Sequence, residues 1–167
     1  KLYFIQKSGG AVPSPFDCWL LLRSTKTLGL RVQKQSDNAF KLAEKLNLHD
    51  SIESVIYPGL KSHTQHRLAI KQQLNPEGEP IFGSIISIKV SSVEKRDSFL
   101  EKIKLFTLAE SLGGVESLVS VPYDMTHVSV PVKTKEQMGL TKTLIRLSVG
   151  IENIDDLYSD LLQALED

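Results

Sequence analysis

The stretch Leu144 to Gly150, LIRLSVG, constrains the fold more than any other. Ile145, Leu147 and Val149 alternate with Arg146 and Ser148. Side chains along a strand point to opposite faces with a period of two, so this segment has one apolar and one polar face. It reads as a strand of a sheet that lies on a core with one side only. The segment SIISIKV repeats the pattern through Ile86, Ile88 and Val90, and its β-branched residues suit a strand.

Helical signals separate these strands. SPFDCWLLLRS opens a helix, with Ser14 as N-cap, Pro15 in the first helical position and Asp17 in the first turn. Gly9, Gly10 and Pro13 mark a turn before it. A break over Thr25 to Gly29 leads to a helix from about Leu30 to Leu46, with Ala39, Leu42, Ala43 and Leu46 on one face. SVIYPG is a short strand, HTQHRLAIKQQL a short helix and NPEGEP a loop. Ser91 with Glu94, and Thr134 with Gln137, read as capping boxes for two further helices. LFTLAES and ESLVSVP read as strands flanking Gly113 and Gly114. NIDDLYSDLLQALED closes the chain as an amphipathic helix, with Asp155 and Asp156 in its positive first turn and Ile154, Leu157, Leu161 and Leu165 inward. The expected fold class is α/β: a two-layer small domain, mainly antiparallel sheet with helices on one face, behind a helical connecting arm. Residues 1–29 form the arm and residues 30–167 the domain.

The 167 residues suffice for one ordinary domain. Lysine plus arginine number 20, and so do aspartate plus glutamate, which gives no long-range attraction for nucleic acid or an anionic membrane. No apolar run approaches the ~20 residues of a spanning helix. The single cysteine, Cys18, excludes an internal disulfide and reads as a small buried hydrophobe, because no basic residue beside it lowers its pKa. His49, His63, His66 and His127 have no zinc spacing. Neither a P-loop, a Rossmann fingerprint nor a GxSxG elbow is present.

Two features carry chemistry. Arg146 stands between apolar neighbours, where a guanidinium needs an anion, and it suits a carboxylate because it binds both oxygens. From spacing alone, a structural pair with Glu152 or Glu116 is the stronger reading. LAESLGGVESL, residues 108–118, places Glu110 and Ser111 in an otherwise apolar run just before a glycine pair. Polarity of that kind requires partners if it is buried.

Longer motifs decide more. GAVPSPFDCWLLLRSTKTLGLRV, VIYPGLKSHTQH, LFTLAESLGGVESLVSVPYDMTH and LIRLSVGIENIDDLYSDLLQAL follow one another in register. In these the chain resembles the carboxyl-terminal part of the pyridoxal-phosphate enzymes of cysteine and methionine metabolism, and within them the cystathionine γ-lyases. The likeness runs from about Leu2 to the end. It implies the C-terminal domain of a fold-type I enzyme. The family's cofactor domain precedes this region and holds the Schiff-base lysine, so the segment supplies no catalytic, cofactor-binding or metal-binding residue and is inactive alone. Arg146 is implied to bind the α-carboxylate of the amino-acid substrate, with Thr126 beside that anion. Glu110, Ser111 and Leu112 are implied to line the substrate side of the site, Glu110 as a selectivity residue. With that context the substrate role overtakes the ion pair at Arg146.

The implied reaction is α,γ-elimination of cystathionine to cysteine, 2-oxobutyrate and ammonia, with hydrogen sulfide as a product of cysteine. The expected cofactor is pyridoxal phosphate in the full-length enzyme, not held covalently by this segment. Expected partners are the amino-acid substrate and the chain's own cofactor domain, in a cytoplasmic homotetramer without nucleic acid or membrane. Lys7 stands where the family commonly has asparagine, and Ser24 where Arg-Gly is usual. Those departures leave two other readings open: a related cystathionine β-lyase or γ-synthase, and a diverged domain with a structural role.

Overall fold

The computed structural model describes residues 1–166. Its contacts divide the chain into two compact units, Lys1–Arg31 and a second that begins at Val32.

The first unit contains α1 (Leu2–Gly9) and α2 (Pro15–Thr25). Gly10 ends α1 in the left-handed conformation, φ 66°, which glycine adopts without strain. The Ser14 side chain accepts a hydrogen bond from the Asp17 amide, as the sequence predicts. α1 is not marked in the sequence by a capped start, since Lys1 makes no side-chain cap and the helix is only eight residues long. Within this unit Cys18 is half-buried rather than enclosed. The break that follows is shorter than expected, and α3 (Leu28–Leu46) begins two residues early.

In the second unit, β1 (Ile52–Ile56), β2 (Ile85–Val90), β3 (Thr107–Leu108), β4 (Leu118–Ser120) and β5 (Leu144–Ser148) form one sheet in the order β1-β2-β5-β4-β3. Every pair is antiparallel except β3 with β4. α4 (His66–Gln72), α5 (Val93–Lys102), α6 (Val132–Gln137) and α7 (Ile154–Leu165) complete the elements. The two-layer α/β architecture stands as expected. Ile86, Ile88 and Val90 of β2, Val119 of β4, and Ile145 and Leu147 of β5 are buried with Val149 just beyond. They pack with Leu42 and Leu46 of α3, Phe99 of α5, and Leu157 and Leu161 of α7. Tyr57 is enclosed with them. Its hydroxyl donates to the Gly83 carbonyl at 2.9 Å, and burial raises its pKa above the ordinary tyrosine range.

Helix starts differ from expectation in two places. Ser92, not Ser91, caps α5 by accepting from the Lys95 amide, because β2 runs to Val90 and leaves Ser91 to make the turn. Thr134 lies inside α6, whose N-cap is Pro131. A third difference is in β3, where only two residues of LFTLAES pair. Asp160 of α7 accounts for its late start. Its buried carboxylate accepts from the amides of Lys104 at 2.9 Å, Leu105 at 2.8 Å and Phe106 at 3.3 Å, so those groups are unavailable to a ladder.

Candidate functional site

β5 is the middle strand of the sheet, and Arg146 is at its centre, on the face away from the core. Its cross-strand partners are Ser87 on β2 and Ser120 on β4. Two small side chains therefore flank the guanidinium, and Ser120 is itself buried. Arg146 is half-buried, and its Nη2 donates to the Glu110 carbonyl at 3.1 Å. Among the described residues it pairs with no carboxylate. Glu152, the candidate structural partner, is committed elsewhere: it accepts from the Ser117 amide at 2.6 Å and from the Ser117 hydroxyl at 2.9 Å. Glu116 lies against Gly114 instead.

Glu110 reaches Arg146 because of the loop that follows β3. Residues 109–117 return the chain so that β4 runs parallel to β3. Gly113 makes the turn at φ 78°, a conformation open to glycine. The loop is fixed mainly through its backbone. The Gly113 amide donates to the Ser148 hydroxyl at 2.9 Å, and the Ile151 amide to the Val115 carbonyl at 2.9 Å. Gln35 of α3 donates from Nε2 to the Gly114 carbonyl. The Gly150 amide donates to the Ser117 hydroxyl at 2.9 Å. Asn38 of α3 holds the neighbouring strand end through the Gly150 carbonyl at 3.1 Å and the Glu152 carbonyl at 2.9 Å.

This arrangement answers the problem of polarity at Glu110. The carboxylate is not buried, so it needs no protein partner: Glu110, Ser111 and Leu112 are exposed, and the Glu110 side chain makes no hydrogen bond among the described residues. Thr126 is also exposed, in the connection after β4, where its hydroxyl meets His127 Nδ1 at 2.7 Å. The geometry joins Glu110 with Arg146, and it joins Thr126 to neither by a hydrogen bond. Gln35, Asn38 and Glu152 fix the site from beneath. Sequence reasoning named only Glu152, and for a different role. The available signal was weak: Gln35 and Asn38 are buried polar residues on the apolar side of an amphipathic helix.

The family model for the Cys/Met metabolism PLP-dependent enzymes matches residues 1–166. The chain belongs to this family. It is 52% identical over 166 residues to a cystathionine gamma-lyase of Dictyostelium discoideum and 48% identical to one of Bacillus subtilis. It is also 47% identical to a cystathionine beta-lyase of Lactococcus lactis. Each alignment covers 99% of this chain and 42% of the relative's length, so the chain spans about two fifths of these proteins. A cystathionine gamma synthase of Xanthomonas oryzae superposes with a TM-score of 0.87 at 38% identity, over 95% of this chain and 40% of that one. A Campylobacter jejuni structure described as an O-acetylhomoserine (thiol)-lyase, with a TM-score of 0.87 at 36% identity over 96% of this chain and 37% of that one, carries a pyridoxyl-lysine monophosphate. The pyridoxal-phosphate family and its fold are therefore established for this chain. The comparisons extend to lyases of two reaction types and a synthase. Among the described residues no three His, Cys, Asp or Glu side chains group as metal ligands, and no helix is long and apolar enough to cross a membrane.

Proposed function

We propose that this chain is the carboxyl-terminal part of a cystathionine γ-lyase, which catalyses α,γ-elimination of cystathionine to cysteine, 2-oxobutyrate and ammonia. Residues 1–29 serve as its connecting arm and residues 30–167 as its small domain. A preceding domain supplies the lysine that holds pyridoxal phosphate, and the whole enzyme is a cytoplasmic homotetramer. When bound, the cofactor supplies the electron sink for bond cleavage at the substrate amino acid.

The observation that supports this reading most is the guanidinium of Arg146. It stands between two serines on the sheet face away from the core and, among the described residues, bonds one backbone carbonyl. The donor set fits the substrate's end of such a site. A planar fork with free N–H groups matches an α-carboxylate, which Arg146 binds at both oxygens. Fixing the carboxylate sets which bond at Cα is oriented for cleavage. Glu110, held beside the fork by its own carbonyl, presents its carboxylate toward the distal part of the substrate. Ser111 and Leu112 extend that wall, and Thr126 supports the carboxylate from the connection after β4. The same wall serves a β-lyase or a γ-synthase, so the products distinguish these reactions. Purified full-length enzyme should convert cystathionine to 2-oxobutyrate and cysteine; pyruvate with homocysteine would assign it to the β-lyases instead.

Glu110 is expected to set selectivity rather than rate. Its side chain is solvated and without a protein partner, so its loss should not disturb the fold. Glu110→Val in the full-length enzyme should change the ratio of cystathionine to cysteine turnover by about tenfold. Competition assays with both substrates measure this directly. Equal scaling of both rates would remove Glu110 from the selectivity residues.

The 167-residue chain alone should not take up the cofactor at a defined lysine. Incubation with pyridoxal phosphate, reduction with borohydride and peptide mapping should show scattered, substoichiometric labelling. One lysine labelled to completion would contradict the division of labour between the two domains.

A further inference from the structure

The connection from β4 to β5, residues 121–143, joins two neighbouring antiparallel strands, where a few residues usually suffice. It leaves β4 directly after Ser120, the cross-strand partner of Arg146, and it carries Thr126. A connection of this length needs anchors outside itself to keep a fixed position over the sheet.

Backbone bonds from the Met125 amide to the Val121 carbonyl at 3.0 Å and from the His127 amide to the Pro122 carbonyl at 2.9 Å fold the turn that carries Thr126, and Arg96 of α5 anchors that turn from outside. Its side chain is only 10% exposed, and a buried guanidinium is costly unless its donors are satisfied. Nη1 bonds Asp124 Oδ2 at 2.7 Å and the Lys142 carbonyl at 2.8 Å, while Nε bonds Asp97 Oδ1 at 2.7 Å. Asp124 lies shortly after β4 and Lys142 shortly before β5, so one side chain ties both ends of the connection to α5. A second cation closes it from within. Lys135 is buried, donates from Nζ to the Tyr123 carbonyl at 3.0 Å and lies 4.1 Å from the centre of the Tyr123 ring. The packing of α5 on the core runs through Phe99, which faces the sheet independently of Arg96.

We infer that Arg96 is a positioning residue for substrate binding: it touches no substrate and clamps the connection so that Thr126 meets the carboxylate held by Arg146. The inference rests on the proposed carboxylate-binding role of Arg146 and Thr126. Loss of the clamp should loosen the connection while the sheet and its core persist.

The test uses full-length enzyme with Arg96→Met, Arg96→Lys and Asp124→Asn, measuring steady-state kinetics on cystathionine and amide hydrogen exchange by mass spectrometry. Arg96→Met should raise KM about tenfold with kcat changed less than about threefold. Amides of residues 121–127 and 139–143 should exchange about tenfold faster, while residues 144–148 keep their protection. Arg96→Lys, which retains a donor, should recover part of both effects. Asp124→Asn removes a partner that is half exposed, keeps the fold intact, and should shift both readouts the same way by a smaller amount. Unchanged exchange in the connection, or a lowered melting temperature with normal KM, would overturn the inference. Arg146→Lys measured in parallel separates the two possible faults. Normal kinetics in that variant would place the error in the carboxylate reading; impaired Arg146→Lys beside kinetically normal Arg96→Met would place it in the clamp.

Discussion

Arg146→Lys in the full-length enzyme should lower kcat/KM for cystathionine about a hundredfold, the effect of losing roughly 2.7 kcal/mol of binding to the reacting carboxylate. Lysine keeps the charge but not the planar fork, so one of two parallel hydrogen bonds has no donor. The melting temperature should hardly move. Arg146 makes one hydrogen bond to protein, it pairs with no described carboxylate, and its strand is fixed by Ile145 and Leu147 on the opposite face. Kinetics and calorimetry on the same preparation decide the matter. A variant that melts well below the parent yet turns over cystathionine normally would return Arg146 to the structural pair that spacing alone favours.

Gly150→Ala should have the largest effect on stability, about 3 kcal/mol, the upper part of the range for overpacking a closed site. A Cβ on Gly150 would run into the Val115 carbonyl oxygen, the Glu152 carboxylate and the Glu116 backbone. Two of these are main-chain atoms of the loop that carries Glu110, and they cannot rotate aside. The same residue donates to the Ser117 hydroxyl and accepts from Asn38, so relief of the clash would disturb buried hydrogen bonds. Gly29→Ala is the control. It lies in the first turn of α3 with nothing within 4 Å of its Cβ position, and it should change stability by less than about 0.5 kcal/mol. Urea titration of both variants measures the contrast. If Gly150→Ala unfolds within 0.5 kcal/mol of the parent, roughly the error of such titrations, the loop is not rigidly seated at the end of β5.

Much of the fold is legible because it is written in side chains. The alternation in LIRLSVG and SIISIKV locates β5 and β2, and it assigns Arg146 to the face opposite the core. Ser14, Pro15 and Asp17 locate the start of α2. What the sequence hides is written in backbone groups. Asp160 meets three amides more than fifty residues before it, and Asn38 meets two carbonyls more than a hundred residues after it. Every chain has such amides and carbonyls at every position, so no pattern of residue types reveals which of them a buried carboxylate or amide will find. The same limit explains the late start of β3, whose preceding amides bond Asp160, whereas Ser92 replaces Ser91 because β2 runs to Val90. α1 is hidden for a different reason: it is eight residues long and Lys1 gives it no side-chain cap. For the site, the residues that face solvent were named from family resemblance, while the residues that hold them were not.

The loop of residues 109–117 is seated by its main chain, against Gln35, Ser148 and the turn after β5, and by the buried Ser117 hydroxyl at its end. Its exposed side chains at Glu110, Ser111 and Leu112 contribute little to that seat. Residues at these positions can therefore be exchanged during descent without a search for compensating changes in the core. Substitutions at these three positions should change the wall of the proposed site while the seat of the loop stays as it is. The frame is inherited, and the chemistry it favours is open to revision.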